Sequence, residues 1–225
     1  MRRIKRRSRR RSVDVRARAA VLGALAWVLA GCANGASPAE AERIAAVLDL
    51  APGMTVADVG AGDGDFALEL ARLVGEDGRV IATEVERRKV RKIRRRATAQ
   101  GLDNVTVFLG SQDDMGLESG CCDAVLLRLV YHHFQEPAPM RAGLRAALKP
   151  TGLLAIIDIA PQAGWRKLPG VPDRGGHGIP PEQLHDEMTA DGFELVARFD
   201  DWNDDAERFC MVFLRRPSAA ERPPS

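Results

Sequence analysis

Beyond Met54 the chain alternates short apolar runs with amphipathic segments, and this alternation restricts the fold more than any other feature. MTVADVG, GRVIATEV, NVTVFLG, CCDAVLLRLV and TGLLAIIDIA are short and apolar, while DFALELARLVG, ERRKVRKIRRRATAQG and APMRAGLRAALKP place apolar residues at helical spacing. Strands separated by helices form right-handed crossovers and a parallel sheet covered on both faces, and strands buried on both faces are apolar throughout, as CCDAVLLRLV is. The pattern changes after a helical PPEQLHDEMTADGF: FELVARFDD and ERFCMVFLRR are two strands in succession, joined through WNDDA, and therefore antiparallel. The expectation is a doubly wound, mostly parallel seven-stranded sheet with helices on both faces and an antiparallel edge strand. Ser37-Pro38-Ala39-Glu40 reads as a capping box with proline at the first helical position, so one more helix precedes the first strand.

Asp58-Val59-Gly60-Ala61-Gly62-Asp63-Gly64 falls where the first strand ends and the next helix opens. Glycines at such a junction let the backbone turn tightly and approach a ligand, and the free N–H groups of the helix start face it. Glu84 ends the second strand twenty residues after Gly64, at the position from which an acid bonds ribose hydroxyls in nucleotide sites. Together with Gln112-Asp113-Asp114 after the third strand and LKPTGLLAIID along the fifth, this ordered set resembles class I S-adenosylmethionine-dependent methyltransferases. The likeness runs through most of residues 54–215, with Thr151 where that family usually has glycine. The resemblance implies S-adenosylmethionine as cofactor. It implies that Asp58 orients the methionine end, that Gly60, Gly62 and Gly64 form the loop around it, and that Glu84 holds the ribose. Asp113, ahead of Asp114, would bond the adenine amino group. VYHHF, HGIPPEQLHDEMTADGF and RFCMVFLRRP are further similar to a group of predicted bacterial methyltransferases that often carry export signals.

Methyl transfer from a sulfonium requires an in-line approach and, for a protonated acceptor, a base. In a doubly wound sheet the cleft lies beyond the carboxyl ends of the strands, which here means after Gly60, Glu84, Leu109, Arg128 and Asp158. His132 and His133 directly follow the fourth strand and are the candidate bases, since imidazole titrates near neutral pH. As sequence neighbours on a strand or turn they should point in different directions, one to the substrate and one bracing the loop. Tyr131, Asp158 and His177 are secondary candidates for substrate contact. Residues between Ala160 and Gly178 are rich in Gly and Pro and lack periodicity, as a lid or a surface excursion would. No metal is expected, because the histidines and Asp158 match no ligand spacing; no nucleophile elbow is present.

The overall charge of +2 hides an asymmetry. Residues 1–18 carry ten Lys/Arg against Asp14, which leaves 23 basic and 30 acidic residues in the remainder, a net of −7. An acidic body argues against nucleic acid as a partner, and the expected acceptor is a small or lipid-like molecule. The basic start, the apolar run Ala19–Ala30 and Leu29-Ala30-Gly31-Cys32 resemble a lipoprotein signal, with Cys32 as the lipidated residue. The expected division is a signal peptide over 1–31, lipidated cysteine and tether over 32–37, a methyltransferase domain over 38–217 and a flexible tail over 218–225. The expected location is the periplasmic side of the bacterial envelope, lipid-anchored through Cys32, with Ala33 after it resembling lipoproteins sent on to an outer membrane and the basic helix 87–96 as a second membrane contact; a cytoplasmic location is the alternative. Export separates the chain from the compartment where S-adenosylmethionine is made. The rival reading is therefore a non-catalytic exported binding or scaffold module that keeps the fold. Cys121, Cys122 and Cys210 suggest no disulfide framework, and the oligomeric state is left open.

Overall fold

The computed structural model describes residues 37–217 apart from residues 112, 163 and 165–169. The signal-like segment, Cys32 and the tail lie outside the described residues. The elements run α1 (Pro38–Val47), β1 (Thr55–Val59), α2 (Asp65–Val74), β2 (Arg79–Glu84), α3 (Arg87–Ala99), β3 (Val105–Leu109), β4 (Cys122–Arg128), α4 (Pro137–Ala147), β5 (Leu148–Ile159), α5 (Pro181–Ala190), β6 (Phe193–Phe199) and β7 (Arg208–Arg215).

The seven strands form one sheet in the order β3-β2-β1-β4-β5-β7-β6. β1, β2, β3, β4 and β5 pair in parallel; β7 runs antiparallel to β5 and to β6. The chain thus enters the sheet at β1, winds to β3, returns to β4 beside β1 and winds the other way. The point where the order reverses lies between β1 and β4, the place where a doubly wound sheet has its ligand crevice. The short WNDDA link delivers β7 between β5 and β6, so the antiparallel pair sits at the sheet edge as the tandem strands required.

Each face of the sheet has its own core. Ile44, Phe66, Leu70, Val90 and Ile93 from α1, α2 and α3 pack on one side against Val56, Ala124 and Leu126. Met140, Leu144, Leu184 and Met188 from α4 and α5 pack on the other against Ala57, Val125 and Leu127. Consecutive residues of β1 and β4 therefore serve opposite cores, the physical reason these strands tolerate no polar alternation. α3 is held by only Val90, Ile93 and Ala97, spaced at i, i+3 and i+7, and turns its basic residues outward. Among the described residues no helix is long and apolar enough to cross a membrane.

The expected capping box is only half formed. Ser37 Oγ accepts the Glu40 N–H at 3.0 Å, but the Glu40 carboxylate does not turn back to the helix start. It reaches across to β4, where Arg128 Nε and Nη2 donate to it at 2.9 and 3.2 Å, and it accepts from Trp202 Nε1 at 3.2 Å. With Glu40 only 6% exposed, a two-point ion pair to an arginine outcompetes a local backbone contact.

Candidate functional site

The loop from Gly60 to Gly64 turns from β1 into α2 with left-handed backbone at Gly60, Gly62 and Gly64. At Gly60, φ is +71° and an added Cβ would meet Val130 Cγ2 at 2.5 Å, so glycine is demanded both by conformation and by space. The Gly60 and Ala61 N–H groups donate to Thr83 O on β2, each at 2.9 Å. This fixes the loop beside the end of β2 and brings Gly62 N–H to Glu84 Oε2 at 2.9 Å. Glu84 Oε1 accepts from the N–H groups of Val85 and Glu86 at 2.8 and 3.1 Å. A carboxylate offers about four lone-pair positions; three are filled, and the one left on Oε2 suits a ligand hydroxyl.

A cavity of 610 Å³ opens over these carboxyl ends, lined among others by Gly60, Gly62, Glu84, Ser111, Arg128 and His133. Small-molecule sites span roughly 300–1,000 Å³. Lys89 and Val171 also line it, the latter from the 160–178 segment, whose ends are tied by the paired backbone bonds of Gln162 and His177. Of that segment's described residues, Val171 reaches the cavity wall.

Asp58 lies beneath the loop, 3% exposed, with Oδ2 making no hydrogen bond. Burial pushes its carboxyl up to about 7, against the opposing pull of the Ala67 N–H and the Arg128 charge. An unsatisfied buried carboxylate oxygen under a glycine-lined cavity is a place for a cationic or hydrogen-bonding ligand group. S-adenosylmethionine carries an ammonium, a sulfonium and a ribose diol, so the donor set of Asp58, Glu84 and the loop fits it.

Past β4 the chain makes a sharp break. Leu129 adopts φ +56°, uncommon for a side chain of its size, and Tyr131–His133 form one turn of 3-10 helix. The histidines were expected to diverge; the tight turn instead sends both toward His177. The ring centroids of His132 and His133 are 3.9 Å apart, and those of His132 and His177 4.5 Å. His132 is 3% exposed. Its Nδ1 donates to Asp158 Oδ1 at 2.5 Å, its backbone N–H donates to Oδ2 at 3.2 Å, and its Nε2 is 3.2 Å from His177 Nε2. Because a carboxylate can only accept, the tautomer of neutral His132 is set with the lone pair on Nε2. His133 is the member that lines the cavity. Burial, then the proximity of His132 and His177, pushes its basicity down to about 4, and burial with His132 also lowers His177.

Of the anticipated residues, Gly60, Gly62, Glu84 and His133 line the cavity; Asp58, Gly64, His132, Asp158 and His177 are not among its lining residues, nor are Tyr131 and Asp113. Tyr131 is fully buried, donating to Glu187 Oε2 at 2.5 Å and accepting from Arg141 Nη1 at 3.1 Å. It braces α4 against α5 and does not line the cavity. Asp113 is exposed and accepts from Ser111 Oγ at 2.7 Å; Ser111 and Gly110 line the cavity in its place. Of the site residues missed in sequence, Arg128 had a signal, being a charge at the end of an apolar strand that requires a partner. Leu129 had none.

A family model described as a methyltransferase domain matches residues 50–206. The chain is 36% identical over 118 residues to the tRNA (adenine(58)-N(1))-methyltransferase TrmI of Thermus thermophilus, covering 52% of this chain and 44% of that protein. It is 28% identical over 127 residues to the nocamycin O-methyltransferase of Saccharothrix syringae, covering 56% and 45%. The chain thus spans less than half the length of these relatives. Among solved structures it resembles a SAM-dependent methyltransferase from Aquifex aeolicus, with TM-score 0.65 and 24% identity, over 77% of this chain and 88% of that one.

The match to TrmI overturns the exclusion of nucleic acid and the restriction to a small or lipid-like acceptor. The exclusion rested on net charge, which averages over the surface. Arg87, Arg88, Arg91 and Arg95 are exposed on one face of α3, and among the described residues none of them forms an ion pair. An acidic domain can thus carry a concentrated basic face.

Proposed function

The chain belongs to the methyltransferase-domain family, and on that premise we propose that it transfers the methyl group of S-adenosylmethionine to an acceptor entering at the histidine end of the cavity. The observation that carries this reading is one cavity lined jointly by the glycine loop, Glu84 and His133. The cofactor supplies an activated methyl on sulfur. Glu84 would hold the ribose through its remaining lone pair, Asp58 would orient the cationic methionine end, and the loop N–H groups and Ser111 would hold the rest. Asp158 is a positioning residue that holds His132 in one tautomer, and an acceptor proton leaves through the imidazole cluster.

Two features bear on the acceptor and pull apart. The relationship to TrmI and the arginine face of α3 support a nucleic-acid acceptor. The basic start, apolar run and Leu29-Ala30-Gly31-Cys32 support export with a lipid on Cys32, on the far side of a membrane from tRNA. Fractionation of cells with wild-type chain and Cys32→Ala decides between them: envelope location dependent on Cys32 removes tRNA as acceptor.

The function itself is tested by calorimetric titration with S-adenosylmethionine and S-adenosylhomocysteine. Micromolar binding weakened at least tenfold by Glu84→Ala is the expected result. Absence of heat and of thermal shift with both would refute the enzyme and favour the non-catalytic binding module.

A further inference from the structure

His132, His133 and His177 come from two separated parts of the chain, yet one ring nitrogen of each lies within 4.8 Å of the other two. Hydrogen bonding explains only part of this. His132 Nε2 and His177 Nε2 face each other at 3.2 Å, and in a neutral pair one lone pair there accepts one N–H. His133 adds a third imidazole with no polar partner of its own among the described residues. Three imidazoles converging on one point is the donor set of a divalent transition metal. Zinc bonds imidazole nitrogen at about 2.0–2.1 Å, so two nitrogens on a tetrahedron around it stand about 3.3–3.4 Å apart. The His132–His177 separation is already close to that edge, and rotation of the partly exposed His133 ring brings in the third corner.

The support behind these rings has the same character. Asp158 is fully buried and accepts from His132 Nδ1 and from the backbone N–H groups of His132 and Ile159. A carboxylate bonded to the far nitrogen of an imidazole aims its near nitrogen and raises its donor strength, the usual arrangement behind a metal-bound histidine. The backbone pairing of Gln162 with His177 holds the third ligand from the lid segment. We propose that His132 Nε2, His133 and His177 Nε2 form a site for a divalent transition metal of the zinc class, with Asp158 as its positioning carboxylate. The ion ties His177 to the turn after β4. Three protein ligands leave one tetrahedral position open, and His133 puts the ion at the edge of the cavity. This rests on the reading above and alters it in one respect: with the three imidazole lone pairs on the ion, an acceptor oxygen or nitrogen would coordinate at the open position and release its proton to water in the cavity, the imidazoles no longer serving as the base.

The test uses the full chain, stripped with chelator and titrated with zinc chloride against a chromogenic indicator, followed by cobalt substitution and visible spectroscopy. The expected result is one ion per chain, with affinity reduced at least tenfold in both His177→Ala and His133→Ala and unchanged in His185→Ala, an exposed histidine on α5. The cobalt spectrum should show tetrahedral nitrogen and oxygen donors. Thermal unfolding of His177→Ala in chelator should match wild type in chelator, confirming that the loop substitution leaves the fold intact. Glu84→Ala should lose S-adenosylmethionine and keep zinc, which separates failure of the metal site from failure of the cofactor site. Absence of binding, wild-type affinity in both ligand variants, or sulfur-to-cobalt charge transfer placing the ion on the cysteines would overturn the proposal.

Discussion

Asp58→Asn isolates the cost of keeping a carboxylate under the glycine loop. The carboxyl is buried and its titration lies near 7 in the folded protein against 3.8 when unperturbed. Between those values the folded protein retains a proton that the unfolded chain has released. Stability from this group is therefore fully present below about pH 4, falls as pH rises toward 7, and is flat above. Each pH unit between the two titrations costs about 1.4 kcal/mol, so the loss amounts to roughly 4 kcal/mol at neutral pH. Asparagine keeps an oxygen for the Ala67 N–H and has no charge to desolvate, but it leaves an amide N–H₂ that needs a partner, worth about 1–3 kcal/mol. Urea unfolding of both proteins from pH 4.5 to 8 should show the variant gaining about 3 kcal/mol relative to wild type across that range, at a slope of about 1.4 kcal/mol per pH unit below 7, and ending about 1–3 kcal/mol more stable at pH 8. The variant should at the same time bind S-adenosylmethionine at least tenfold more weakly, since the unsatisfied oxygen has been given up. A stability difference independent of pH, or a variant less stable than wild type at pH 8, would refute the reasoning.

Glu84→Gln exchanges an acceptor for a donor among the three N–H groups that converge on it; calorimetry should show at least tenfold weaker cofactor binding and urea unfolding a loss of about 1–3 kcal/mol. Arg128→Ala strands the buried Glu40 carboxylate and should cost about 3–5 kcal/mol, with part of the loss recovered in Arg128→Ala/Glu40→Leu, as a double-mutant cycle by thermal unfolding would show. Gly60→Ala should lower stability by more than the roughly 1–2 kcal/mol of its left-handed backbone, and adding Val130→Ala should return only the steric excess over that value.

Much of this molecule is legible in one dimension because it depends on local periodicity. Apolar runs such as CCDAVLLRLV can only be strands buried on both faces, the glycines from 60 to 64 can only be a tight turn, and the tandem of β6 and β7 forces an antiparallel edge. Once Asp58, Gly60, Gly62 and Glu84 are on such a scaffold, their meeting follows from the parallel register of β1 and β2. Spacing after β3 placed the segment, but of its residues Ser111 lines the cavity while Asp113, exposed, is its hydrogen-bond partner.

Tertiary structure decided what spacing cannot carry. Glu40 looked like a cap and became the partner of Arg128, because a guanidinium buried 88 residues away needs a carboxylate more than the helix start does. His132 and His133 looked divergent, since alternation on a strand separates neighbours; a left-handed Leu129 and a single 3-10 turn brought both rings to His177, 45 and 44 residues further on. Local sequence sets which segments pair and where the chain turns. Which side chains then share a point depends on backbone strain and on the desolvation of charges, and those are settled only when the two cores close on the sheet.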